Sequence, residues 1–445
     1  MRRRVIALFL ALLFCIPVCM AEQRTVNARF PATQIVKMFH KNTRQNNGSI
    51  IDAFYPTTSN KHVTDDVRSL INGYISSIAP TLPAGKKTPE DSKLFIRCVY
   101  SPTGESWLSF HVLARIVFHR EQLHVESATR TYDMASGKQI SLTDIFPSGS
   151  PAWDLLAKTV QEQLTAYYKE EPDQEALNTL ISRDSLEKAS FTLEPIKLTL
   201  HYPASLLYPN RNTMMHVVVY YSDLQGMMTP EAARQTDNSS RPMIALTFDD
   251  GPRYAGTVNL LDELQSYGAR ATFFLIGDQM EGNRDVVQRE HDEGHTIASH
   301  TWNHYNPRNL TVQQLFENKE QFDLLLSDII GLDASFMRAP GGRYQEFVEA
   351  GIGLPLIQWS VIGGDITAKS RSLILNTVPG KAKHGSIILL HDTKRLTVKT
   401  IRAVLAVLRK KGIFCVTVED LFHQNGIDMQ PNVVYRDANG WIEEY

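Results

Sequence analysis

From Met243 to Thr417 the chain keeps one rhythm, a short apolar run followed by an amphipathic stretch of helical length. After the opening run of residues 243–252, strand-like runs fall at 271–276, 296–298, 335–337, 356–361, 386–390 and 414–417. Helical stretches lie at 257–267, 284–293, 312–330, 371–378 and 397–410, and Gly268 and Gly294 close the first two. Strands that alternate with helices in this way predict an α/β fold: parallel strands, in a barrel or an open sheet, covered by helices.

The opening run, Met-Ile-Ala-Leu-Thr-Phe-Asp-Asp-Gly-Pro, stops on two adjacent carboxylates, and Gly251-Pro252 then breaks the chain. Consecutive strand side chains face opposite ways, so Asp249 and Asp250 share a cleft only at a strand-to-loop junction. Crowded acids call for a cation or a shared proton, and the alternative is a solvated turn. Asp249, Asp250, His300, His304, Arg338, Asp365 and His391 all fall at or just past the C-terminal end of a predicted strand. In a parallel barrel those ends form one rim, the place where such folds carry their active sites. His300 and His304, spaced i, i+4, are expected on one side of a helical turn. With one carboxylate they make a three-ligand set suited to catalytic Zn²⁺ or a similar ion; the alternative is a capped loop or surface pair. His295 reads as a structural turn residue, and Asp392 as a helix N-cap.

Four of these stretches, Thr247-Phe248-Asp249-Asp250-Gly251-Pro252, Ser299-His300-Thr301-Trp302-Asn303-His304, Arg338-Ala339-Pro340-Gly341-Gly342 and Leu389-Leu390-His391, follow one another in order. Together they resemble the polysaccharide deacetylases, carbohydrate esterase family four with its NodB-homology domain, over residues 242–423. The resemblance implies a distorted (β/α) barrel and a divalent metal, Zn²⁺ first with Co²⁺ or Mn²⁺ as alternatives, held by Asp250, His300 and His304. It makes Asp249 the general base, His391 the acid that protonates the leaving amine, Arg338 the partner of Asp249 and Asp365 the partner of His391. The backbone N–H of Gly341 would serve the oxyanion, and Leu389 would line the acetyl pocket. The fourth motif departs from the family: Ile362 and Ile366 stand where an Asp and a Trp are usual. Trp359 is the candidate to replace part of that aromatic wall.

The chain has 445 residues, enough for two or three domains, with 43% apolar and 21% charged residues. A net charge of −2 without a long basic block argues against nucleic acid as a partner. Residues 1–21 read as a signal peptide: Arg2-Arg3-Arg4, an apolar run at 5–18, then Cys19-Met20-Ala21. Contact with a membrane is expected only through that segment if it stays uncleaved. Cys98 and Cys415 read as buried thiols rather than a disulfide framework.

Residues 22–229 read as a separate N-terminal α+β domain, with helices at 65–79 and 153–168 and strands at 93–100, 106–119, 122–132, 140–146, 191–202 and 216–221. Residues 22–61 show few periodic signals. The phrase Tyr-Asp-Met-Ala-Ser-Gly-Lys-Gln-Ile-Ser-Leu-Thr-Asp-Ile-Phe, within 130–146, resembles the RsiV-like extracellular domain. His111, His119 and His124 read as satisfied strand histidines. Residues 230–241 are expected as a linker and 424–445 as a tail. The resulting expectation is a secreted or cell-envelope N-deacetylase of peptidoglycan N-acetylglucosamine. Deacetylation of chitin oligomers, O-acetyl esterase action on xylan and non-catalytic glycan binding stand as alternatives.

Overall fold

The computed structural model describes residues 30–82, 92–440 and 442–443. The predicted signal segment lies outside them. The second half of the chain is built on parallel strands. In hydrogen-bonded order they run Val361–Ile362, Ile387–His391, Met243–Gly251, Thr272–Leu275 and Thr296–Ser299. Single parallel bridges from Ser299 to Met337 and from Met337 to Leu356 carry the curl on to Leu356–Ile357. Phe414–Val416 pairs with the first residues of the central strand. The result is a distorted (β/α) barrel, its strands apolar because both faces are covered. The helices Tyr254–Tyr267, Val312–Ile330, Arg371–Lys381 and Arg395–Lys410 surround it. Phe248, Phe273, Leu390, Leu260 and Val404, all buried, belong to the core between strands and helices.

The front half is α+β. Six strands form one sheet in the order Lys37–Arg44, Ile50–Thr57, Lys93–Thr103, Trp107–Phe118, Glu121–Asp133 and Gln139–Ile140. Only the second and third are parallel, and helix Lys61–Ile78 makes that crossover. A smaller antiparallel sheet holds Phe191–Leu193, Lys197–Pro203 and Met214–Tyr220. The first of the two strands within 37–57 shows little periodicity for a physical reason. Lys37–Arg44 is an exposed, polar edge strand that pairs along its whole length, so backbone bonding and not burial defines it. Residues 230–241, expected as a linker, contain the helix Pro230–Thr236, in which Ala232, Gln235 and Thr236 are buried. The tail returns to the barrel: Val434–Tyr435 pairs in parallel with the strand Leu356–Ile357.

The two halves share a polar interface centred on helix Arg284–Asp292. Its sequence, Arg-Asp-Val-Val-Gln-Arg-Glu-His-Asp, is densely charged, yet seven of its nine residues are buried. Arg115, 3.5 Å from Asp292 Oδ2, and Gln122, whose Nε2 donates to the same oxygen, come from the front sheet. The amide of Met214 donates to Asp292 Oδ1. Lys197 pairs with Asp420 at 2.8 Å across another part of the same boundary.

Candidate active site

The central strand ends in an irregularity that answers the problem of adjacent carboxylates. Its pairing with Thr272–Leu275 slips between Asp249 and Gly251, and Asp250 sits in the left-handed region at φ 74°. A slip of this kind breaks the in–out alternation, so Asp250 turns to the same mouth as Asp249. His300 Nε2 lies 3.7 Å from Asp249 Oδ2 and 3.6 Å from Asp250 Oδ1. His304 Nε2 lies 3.4 Å from that same oxygen of Asp250.

The residues between the two histidines are not helical, which corrects the expectation of a helical turn. Thr301 and His304 both take positive φ, 69° and 58°. The Thr301 hydroxyl accepts from the His304 amide, fixing this compact loop. Three non-glycine residues in left-handed conformations, two of them candidate ligands, mark local strain at one spot. His300 Nδ1 is 2.9 Å from the Arg338 carbonyl, to which only an N–H can donate. A neutral ring in that tautomer presents its Nε2 lone pair to Asp250. Burial pushes the His300 pKa down, although Asp249 and Asp250 oppose the shift, and so favours the neutral ligand form.

One ligand atom each from Asp250, His300 and His304 lies within 4.8 Å of the others. Two imidazole lone pairs and a carboxylate suit a divalent ion such as Zn²⁺ and leave room for water. The residues present therefore fit the metal that the sequence anticipated.

Beside this cluster Asp249 is held by Arg338, whose Nη1 donates to Asp249 Oδ1 at 2.6 Å and to Thr247 Oγ1 at 2.7 Å. Arg338 has no exposed surface; its Nε and Nη2 donate to the carbonyls of Ile357 and Gln358, and its guanidinium packs 3.9 Å from the Phe274 ring. Across the mouth, strand register sets His391 level with Asp249. The His391 amide donates to Asp365 Oδ2 at 2.7 Å, and its Nδ1 lies 3.2 Å from both carboxylate oxygens. Burial disfavours imidazolium at His391, but the hydrogen bond and charge of Asp365, with Asp249 and Asp250 adding, raise its pKa. Asp365 is in turn held low: burial works against its charge, and His391 and Thr397 outweigh burial.

Leu389 is buried two residues before His391 and so shares its face of the strand. Gly341, at φ 64°, is exposed with open space where a Cβ would stand. Trp359 is half-buried, and its ring would be 3.1 Å from a Cβ on Gly342, which sets it beside that loop. Ile362 and Ile366 are both exposed. The hydroxyls of Thr247 and Thr397 fix Arg338 and Asp365; Thr247 stands in the first motif without a role assigned to it, and Thr397 carried no sequence signal because a buried threonine in a helix is ordinary. Asp392 is not an N-cap: helix Arg395–Lys410 starts three residues later, and buried Asp392 accepts from the Thr257 hydroxyl. His295 is structural as expected, its Nδ1 accepting from the Ala271 amide.

The profile of the family described as Polysaccharide deacetylase matches residues 236–352. A peptidoglycan-N-acetylglucosamine deacetylase of Bacillus cereus is 34% identical over 195 residues, 41% of this chain and 89% of that protein. The chain belongs to the polysaccharide deacetylase family. The peptidoglycan-N-acetylglucosamine deacetylase PgdA of Listeria monocytogenes is 33% identical over 193 residues, 43% of this chain and 41% of that protein. The chain thus matches less than half the length of that relative. A bifunctional xylanase/deacetylase of Pseudobutyrivibrio xylanivorans is 34% identical over 204 residues, 45% of this deacetylase-family chain and 33% of that protein.

Proposed function

We propose that this protein is a metal-dependent N-deacetylase acting on N-acetylglucosamine residues of peptidoglycan at the cell envelope. The observation that supports it is the pairing, across one mouth, of the Asp249–Arg338 ion pair with the His391–Asp365 pair, and the Asp250–His300–His304 cluster beside them. Asp250, His300 and His304 would hold the divalent ion. Such an ion, when bound, polarises the acetyl carbonyl and makes water more acidic.

The chain's own groups divide the remaining work. Asp249, with one oxygen on Arg338, keeps its other oxygen to take a proton from the attacking water. The water oxygen bonds to the acetamide carbon, and the Gly341 N–H is the donor assigned to the resulting oxyanion. His391, donating through Nδ1 to Asp365, keeps Nε2 as the atom that protonates the sugar nitrogen as the carbon–nitrogen bond breaks. Leu389 closes the space for the acetyl methyl, and Trp359 gives the sugar a flat apolar wall. The predicted signal at 1–21 and the names of the B. cereus and L. monocytogenes relatives support the envelope and the substrate. The RsiV-like resemblance of the front domain agrees with that location.

Acetate release from purified peptidoglycan by the full chain tests this reading, with and without a chelator and with Asp249→Asn. Release that stops with chelator and with Asp249→Asn is expected. Wild-type protein that releases no more acetate than the variant refutes it and favours a glycan-binding role.

A further inference from the structure

Next to the catalytic mouth lies a second cavity of about 830 Å³. The two are contiguous: Arg253, Gln279 and Thr393 line both this cavity and the smaller one that contains Asp250 and His304. Arg253 follows the candidate ligand Asp250 by three residues, so the cavity opens within about 10 Å of the cluster.

Its lining is strongly basic. Arg253, Arg395 and Lys399 line the larger cavity and Lys394 the smaller one. All four side chains are exposed, and none forms an ion pair among the described residues. Two helices, Tyr254–Tyr267 and Arg395–Lys410, begin at this cavity; neither has a side-chain cap or an acid in its first turn. Their N-terminal dipoles thus add to the cations. The front domain contributes a fifth cation. The hairpin between Trp107–Phe118 and Glu121–Asp133 turns through His119 and Arg120, both at positive φ, and sets the Arg120 guanidinium 4.4 Å from the Tyr254 ring. Two acids share the combined lining: Asp250, the candidate metal ligand, in the smaller cavity, and Asp392 in the larger, almost wholly buried and with no hydrogen-bond partner at Oδ1. Burial, helped by Asp250 and Asp249, pushes that carboxyl up to about 7.

A neutral glycan has no use for a cluster of cations beside the reacting sugar. Peptidoglycan does carry matching groups, since its stem peptides hang from the sugars next to N-acetylglucosamine and bear several carboxylates. We propose that this basic groove binds the stem-peptide carboxylates of the substrate, with Arg120, Arg253, Lys394, Arg395 and Lys399 as the recognising groups. The proposal rests on the deacetylase reading for its substrate, and it makes the front domain part of the binding surface.

The test is calorimetric binding to the full chain, wild type and Arg395→Gln/Lys399→Gln, of three probes. These are a disaccharide–tetrapeptide from peptidoglycan, the same disaccharide without its peptide, and neutral N-acetylglucosamine tetramer; acetate release is followed in parallel. The wild type should prefer the tetrapeptide form, and the double substitution should lower that preference over the tetramer about tenfold. Added salt should lower it as well. An unchanged ratio, or no measurable binding of the tetrapeptide form, overturns the proposal. An equal loss for the peptide-free disaccharide also overturns it and assigns the groove to the sugar's lactyl carboxylate. Tight, charge-dependent binding without acetate release would sustain the groove and refute the deacetylase instead.

Discussion

Two groups of histidines sit in this chain, and they differ in what surrounds them. At the rim, His300, His304 and His391 each face at least one carboxylate. At the boundary between the halves, His111, His201, His216 and His291 face mainly one another. His111 and His201 have ring centres 4.0 Å apart, and the next two pairs are 5.1 Å and 5.0 Å apart. His216 Nε2–H donates to the His291 carbonyl, so its Nδ1 accepts from His201 Nδ1–H, and the Thr192 hydroxyl donates to His201 Nε2. That bonding chain is complete only with neutral rings. Burial lowers the pKa of all four, to about 3 for His111, where Arg270 adds, and to about 4 for His291. The same side chain is a candidate for proton and metal chemistry where acids converge on it, and a packing group where they do not.

The contrast can be broken first at the rim. Asp249→Asn should reduce acetate release about 10³-fold, since it removes the proposed base, and should also lower the thermal midpoint, since it leaves the buried Arg338 guanidinium without its counter-charge. At the interface the effect should appear in stability. A histidine held neutral in the folded state contributes stability that is present above its unfolded pKa and is lost as pH falls below it. His111 and His291 should each cost about 2 kcal/mol between pH 7 and pH 5, read by urea denaturation, and His111→Leu should flatten that dependence. A stability curve level down to pH 5 would erase the distinction between the two groups.

Asp365→Asn sharpens the contrast from the other side. Its carboxylate raises the His391 pKa, and the protonated acid disappears as pH rises through that value. The variant should lose its activity at lower pH than the wild type, with a deficit of about tenfold at pH 8 that narrows toward pH 6. Thr397→Val removes one hydroxyl from Asp365 and should act in the same direction, several-fold at most.

Much of the rim was legible because each of its residues ends a short apolar run, and parallel strands gather such ends whatever their distance along the chain. Its local geometry was not. The i, i+4 spacing of His300 and His304 suggested a helix, whereas two left-handed residues achieve the same proximity. Nor does local periodicity register Asp250 turning at a slipped register, since the slip arises between strands. The interface was hidden for a related reason. Nothing within Arg284–Asp292 says what buries its charges; the partners are Arg115 and Gln122, about 170 residues earlier.

That helix also bears on how the protein can be handled. Cutting the chain near residue 230 to isolate the barrel would strip Asp292 of Arg115, Gln122 and the Met214 amide in one stroke. The fragment would carry orphaned ionic groups on a newly wetted flank, along with a basic groove missing its Arg120 wall. Engineers seeking a minimal version of this chain should therefore expect to redesign that flank rather than merely trim to it.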